Sequence, residues 1–83
     1  RGRNRDDDQE RVWEARRKGD ILPLETILDR ALTTVPGEVL EIDLDDDKDG
    51  LVYEIKILTR RGLVMEMDID AHSGKILELE EDD

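Results

Sequence analysis

Between residues 37 and 79, apolar and polar positions alternate with period two through three separate runs. Leu40, Ile42 and Leu44 alternate with Glu41, Asp43 and Asp45, and Tyr53, Ile55 and Ile57 alternate with Glu54, Lys56 and Leu58. Leu63, Met65, Met67 and Ile69 alternate in the same way with Val64, Glu66, Asp68 and Asp70. Successive side chains of a strand point to opposite faces, so each run predicts a strand with one buried face. A fourth short strand closes the stretch. Asp49-Gly50, Arg60-Arg61-Gly62 and the run from Asp70 to Gly74 separate the strands. Asp-Gly tolerates the positive φ of a tight hairpin, Gly62 suits a left-handed turn position, and the Asp70 carboxylate can accept amide hydrogen bonds from a turn that Gly74 closes. The simplest connection of four such strands is an up-and-down antiparallel meander.

Upstream the period changes. Leu24, Ile27, Leu28, Ala31, Leu32 and Val35 recur at helical spacing and form one apolar face, with Pro23 suited to the first helical position and Pro36-Gly37 ending the run. This helix is expected to cover the sheet, with Leu28→Ala among the costlier single changes. A second helix is predicted over residues 6–19. Asp6, Asp7, Asp8 and Glu10 precede Arg16, Arg17 and Lys18, an order that complements the helix dipole, and Gly19 supplies the stop. Its only apolar residues are Val12, Trp13 and Ala15, so it must dock or fray. Trp13 is the anchor, onto the domain or onto a second copy.

The pattern therefore predicts an α+β fold, an N-terminal helix or helix pair packed on a four-stranded antiparallel meander sheet. Residues 1–5 read as a disordered tail, 6–19 as a docking helix, 20–80 as the folded domain and 81–83 as an acidic tail, with fraying expected from Glu80 onward. Val39, Val52, Leu58, Val64 and Ile76 fall out of phase with the core stripe, among carboxylates. They read either as scattered exposed residues or as a second sticky surface for a partner or a homodimer. On the second reading Trp13, Val52, Leu58, Val64 and Ile76 are the candidate partner-binding residues.

Charge narrows the partners. The chain has 83 residues and a net charge of −11. Residues 1–19 hold seven Arg or Lys against five Asp or Glu, net +2, and residues 20–83 hold six against nineteen, net −13. Such an excess repels phosphate backbones and anionic lipid, which disfavours nucleic-acid and membrane-surface binding and favours cationic partners or metal ions. There is no cysteine, hence neither disulfide nor thiolate chemistry. No apolar run approaches the roughly 20 residues of a membrane-spanning helix, and no signal peptide is visible.

Asp45-x-Asp47-x-Asp49-Gly50 matches the first half of an EF-hand loop, in which alternate carboxylates and a glycine wrap a cation. The second half departs: Lys56 stands where the bidentate Glu belongs, and the following segment reads as a strand. Asp45, Asp47 and Asp49 remain the candidate ligands of a weak calcium site, set against a solvated acidic hairpin. His72, the only histidine, sits in a turn with only Asp70 close by, a poor zinc site. Ser73 adjoins it, and side chains on neighbouring positions diverge, so a serine triad is not expected. Carboxylate pairs are placed on a solvated face that raises no single pKa selectively, and no enzyme activity is expected.

These residues resemble the PepSY domain, the module found in propeptides of thermolysin-type metallopeptidases and in small exported bacterial proteins. The resemblance is carried by Tyr53-Glu54-Ile55, Gly62, Asp70-Ala71 and Gly74-Lys75-Ile76-Leu77, with the lead-in Gly19-Asp20-Ile21-Leu22-Pro23-Leu24. It spans about residues 19–80. The resemblance implies a helix on an antiparallel sheet, a periplasmic or secreted location, and a role in inhibiting or regulating a peptidase or an envelope sensor through protein contact. It carries no catalytic residues over. The alternatives are a calcium-responsive envelope protein and a structural dimerising module.

Crowded carboxylates hold protons more tightly in the fold than in the expanded chain, and salt relieves their repulsion. The melting midpoint is accordingly expected to be higher near pH 5, or in roughly 0.5 M salt, than at pH 8 in dilute buffer. A midpoint that drops steadily from about pH 8 to about pH 5 would overturn this reading.

Overall fold

The structure is a computed structural model that describes residues 21–47 and 50–82. Helix α1 runs Leu24–Thr34, and four strands follow: β1 (Glu38–Asp47), β2 (Gly50–Leu58), β3 (Val64–Asp70) and β4 (Ile76–Glu81). The strands lie in the order β1-β2-β3-β4, each antiparallel to its neighbour, as the meander reading requires. The sequence segments predicted as disordered tail and docking helix, residues 1–5 and 6–19, lie outside the described residues, as does Asp49.

Helix α1 begins one residue later than expected. Pro23 is its N-cap, with extended ψ of 147°, and its carbonyl accepts the first two helical amides, from Thr26 at 3.0 Å and Ile27 at 3.2 Å. Proline has no N–H to waste there. At the other end Val35 leaves helical geometry, which the following Pro36 demands, while its amide still donates to Ala31 O at 2.8 Å.

One face of the sheet and one face of α1 share a core of Ile27, Ala31 and Val35 from the helix side with Tyr53, Ile55, Ile57, Met67 and Ile69 from β2 and β3. The central strands are thus shut on this face. Leu28, expected among the costlier positions, is half-buried, whereas Ile27 is fully buried: Ile27 points at the sheet and Leu28 lies one helical step, about 100°, to its flank.

Two register shifts reverse other expectations. In β1, Val39 pairs with Ile57 and Glu41 with Lys56, leaving Leu40 as an extra residue. A bulge changes the phase of the strand behind it, so Val39 packs on the core and Leu40 is 49% exposed. In β4, Ile76 pairs with Ile69 and Glu78 with Asp68, leaving Leu77 extra. Ile76 therefore packs against the core rather than lying on the outer face. Leu63 precedes β3 and is exposed rather than part of the core stripe. Of the residues expected to fray, Glu80 and Glu81 belong to β4 and the Asp82 amide donates to Val64 O at 2.8 Å, while Asp83 lies outside the described residues.

The helix returns to the sheet through a close approach at Gly37. A Cβ there would overlap the Leu58 carbonyl oxygen and meet Ile57 Cγ2 at 2.9 Å. Since β1 starts at the next residue, no side chain fits.

Ile27→Ala is expected to cost about 2–5 kcal/mol, more than Leu28→Ala, because the cavity it leaves is enclosed. Gly37→Ala is expected to cost about 1–3 kcal/mol through overpacking against backbone. Urea unfolding at fixed salt measures all three, and equal costs for Ile27→Ala and Leu28→Ala would overturn the assignment of the buried face.

Candidate functional site: a carboxylate face and the turn that frames it

The face of the sheet turned away from α1 is set by register. One row runs Asp43, Glu54, Asp68, Glu78 across all four strands, and the next runs Glu41, Lys56, Glu66, Glu80. Side chains directly opposite on neighbouring strands stand about 4.5–5.5 Å apart at Cβ, and like charges so placed destabilise the pair. Lys56 is the only basic residue in the four strands. Its Nζ lies 3.2 Å from Asp82 Oδ2 and 3.9 Å from Glu41 Oε1, and the hydrogen bond to Asp82 is the main cause that raises its pKa. Both partners are surface groups, so the pairs orient side chains more than they stabilise.

Glu54 sits within this crowd on the central strand β2. Its neutral carboxyl hydrogen-bonds Asp45, its diagonal neighbour on β1, and this bond, partial burial and the nearby charges of Asp45, Asp68 and Glu66 push its pKa up from 4.5 to about 7. This is the selective perturbation that the sequence reading did not expect. Alternation placed Glu54 on the outer face, but its neighbours from β1 and β3 follow only from register.

The five apolar residues assigned to this face do not make a continuous sticky surface. Val52 is 2% exposed, and Ile76 lies on the core side. Leu58 and Val64 are half-buried and directly opposite one another at one end of the sheet. Trp13 lies outside the described residues. Of the calcium candidates, Asp45 pairs with Val52 and Asp47 with Gly50 in the β1–β2 ladder, and Asp49 lies outside the described residues. Among the described residues, no three acidic or histidine side chains converge as a metal site would require.

The β3–β4 turn closes one end of this face. Asp70 Oδ1 accepts the amides of His72 at 2.7 Å and Ser73 at 3.2 Å, and the Asp70 carbonyl accepts the Gly74 amide at 2.8 Å. The backbone amide of His72 is the largest influence holding the Asp70 carboxyl below its usual 3.8. Gly74 has φ of +77°, a backbone conformation that other residues adopt only under strain. Ser73 Oγ accepts the Lys75 amide at 3.1 Å, and His72 Nδ1 lies 3.6 Å from Asp70 Oδ1. His72, Ser73 and Asp70 thus build the turn rather than a nucleophile and its base. An open depression of about 520 Å³ lies beside it, between Arg30, Thr33 and Thr34 of α1 and Gly74, Lys75 and Ile76.

The folded chain holds the Glu54 proton between about pH 4.5 and pH 7, where the unfolded chain has released it, so folding is favoured as pH falls through that window. Asp70 acts in the opposite sense, its contribution present above about pH 3.8 and lost below as its carboxylate is protonated. Glu54→Gln is expected to flatten the rise in melting midpoint between pH 8 and pH 5 while leaving the acid limb below about pH 4 in place. An unchanged slope in that variant would remove Glu54 as its source.

Two comparisons bear on this architecture. The protein YkoJ of Bacillus subtilis (strain 168), itself uncharacterized, is 40% identical over 53 residues, a stretch that covers 64% of this chain and 31% of that protein. The chain thus spans under a third of the length of this relative. No solved structure matches it. The family described as peptidase propeptide and YPEB domain matches residues 21–80, from the buried lead-in Ile21 through β4. The chain belongs to the PepSY family.

Proposed function

We propose that this chain is a non-enzymatic, exported PepSY-type module that regulates a peptidase or an envelope sensor by binding it, and that it presents the carboxylate face of its sheet to a basic protein surface. The observation that carries this reading is the row Asp43, Glu54, Asp68, Glu78. Three successive like-charge pairs cost stability, and a surface of this kind recovers that cost when a cationic partner replaces solvent. Charge of one sign over a whole face also steers a basic partner from a distance. Family membership supports the regulatory role, since the family is described by peptidase propeptides. The site needs no chemistry beyond contact, and the catalytic side chains belong to the partner.

The neutralised variant Asp43→Asn, Glu54→Gln, Asp68→Asn, Glu78→Gln tests the face. The whole chain as bait is expected to capture a partner from the envelope fraction of its source in about 0.05 M salt and to release it in about 0.5 M salt, whereas the variant, checked to be folded, captures none. Capture by the variant at undiminished yield would overturn the assignment of this face. A calcium titration followed by amide NMR, with magnesium as control, separates the cation-responsive alternative: saturable shifts confined to residues 45–54, with calcium alone, would favour it over partner binding.

A further inference from the structure

The strands lie side by side in chain order, so β1 and β4 are the two edges of the sheet, and among the described residues no strand lies beyond either. The Ala71 amide donates to Leu51 O at 3.0 Å, which turns the backbone of Leu51 toward β3. Backbone groups alternate in direction along a strand, so Tyr53 and Ile55 also turn toward β3, and Val52 and Glu54 toward β1. On the far side of β2 the same alternation holds, since Asp70, opposite Val52, donates its amide to Lys75 O, toward β4, at 2.8 Å. Asp45 and Asp43, opposite Val52 and Glu54, therefore exchange the hydrogen bonds of the β1–β2 ladder. Leu44 and Ile42, opposite Tyr53 and Ile55, direct their N–H and C=O groups away from the sheet.

Side chains along this edge are sorted by face. Ile42 and Leu44 share the face that packs on α1, yet Ile42 is 36% exposed and Leu44 only partly buried, while Ile55 beside them is shut from water. The helix leans toward the other edge, where Arg30 Nη1 reaches Gly74 O at 3.4 Å, near the start of β4. Glu41, Asp43 and Asp45 lie on the opposite face of β1. The β4 edge offers a partner less. Beyond its bulge β1 pairs without a break from Glu41 to Asp47, whereas β4 does so only from Glu78 to Glu81.

We infer that β1 is the docking edge for an extended segment of the partner protein, which adds antiparallel to Ile42 and Leu44 as a further strand, with apolar side chains on the face of those two and basic side chains on the face of Glu41, Asp43 and Asp45. The inference rests on the reading that the carboxylate face takes a basic partner, and it names the form in which that partner arrives. An open edge supplies main-chain hydrogen bonds to an added strand, and alternate side chains supply the selectivity. A strand of this pattern covers the exposed side of Ile42 and sets a basic group beside Asp43, whose neighbour on β2 is the acidic Glu54. Charge opposes a second copy in this place. Whether Ile42 of one copy pairs with Ile42 or Leu44 of the other, or Leu44 with Leu44, Asp43 is set opposite Glu41, Asp43 or Asp45.

The probe is a short capped peptide of alternating lysine and valine, titrated into the full chain and followed by amide NMR. In an antiparallel pair the valines opposite Ile42 and Leu44 turn their amides to β1, and the lysines turn theirs away. Saturable shifts are expected over residues 41–45, with slower exchange of the Ile42 and Leu44 amides. N-methylation of the valines is expected to weaken binding at least about tenfold, and N-methylation of the lysines, which keeps the same charge, to leave it within about twofold. Ile42→Pro, which removes an outward N–H and no bond to β2, is expected to weaken binding in the same sense, its fold being checked by the same spectra. Equal binding of the two methylated peptides would overturn the added strand and leave the attraction of the carboxylate face standing. That attraction fails separately, if the variant neutralised at Asp43, Glu54, Asp68 and Glu78 binds the unmethylated peptide as tightly as the native chain does. Loss on lysine methylation alone, no binding of the unmethylated peptide, or shifts centred on Leu79 and Glu81 would each overturn the inference. So would Ile42 and Leu44 amides that already exchange slowly in the protein alone: slowing lost on dilution would make a second copy the occupant, and slowing that survives dilution a segment of the chain itself.

Discussion

The backbone of one small residue joins the three parts of this fold. Ala71 is fully buried, its amide donates to Leu51 O at the start of β2, and its carbonyl accepts the Leu22 amide from the lead-in to α1. Helix, hairpin and turn therefore meet at a single peptide pair. A larger side chain would enter the core there, and a turn of different geometry would aim both groups elsewhere. Asp70 holds that geometry by accepting two amides on one carboxylate oxygen, and Gly74 completes it with a backbone conformation that other residues adopt only under strain. The residues that carry the family likeness in this region are those that make the joint.

Around this joint the two faces of the sheet have opposite characters. One is closed by α1 over β2 and β3, where Ile55, Ile57, Met67 and Ile69 are shut from water. The other carries carboxylates on every strand, with Lys56 as the one basic residue among them. The apolar face supplies the stability that lets the acidic face persist, since like charges held at cross-strand distance oppose folding. Glu54 relieves part of that opposition by keeping its proton to near neutral pH and hydrogen-bonding Asp45. A basic partner laid over the carboxylate rows, as proposed above, would relieve it in a different way. The carboxylate rows suit a partner, because they can be neutralised only from outside the sheet.

Much of this architecture was legible in the residues. Alternation in three runs determined the strands, Asp49-Gly50, Gly62 and the Asp70–Gly74 stretch determined the turns, and the spacing of Leu24, Ile27 and Ala31 determined the helix, because these patterns express local backbone preferences and the repeat of each element. What the sequence could not settle was every feature that depends on which residues face one another. The bulges at Leu40 and Leu77 moved Val39 and Ile76 to the core, and pairing with Val64 and Lys56 held a terminus that composition alone marked for fraying. The hydrogen bond of Glu54 to Asp45 belongs to the same class: the two are nine positions apart in the chain and become neighbours only through the β1–β2 register. Local pattern determined the elements, and cross-strand register, a long-range property of the folded chain, decided their faces, their charges and the site.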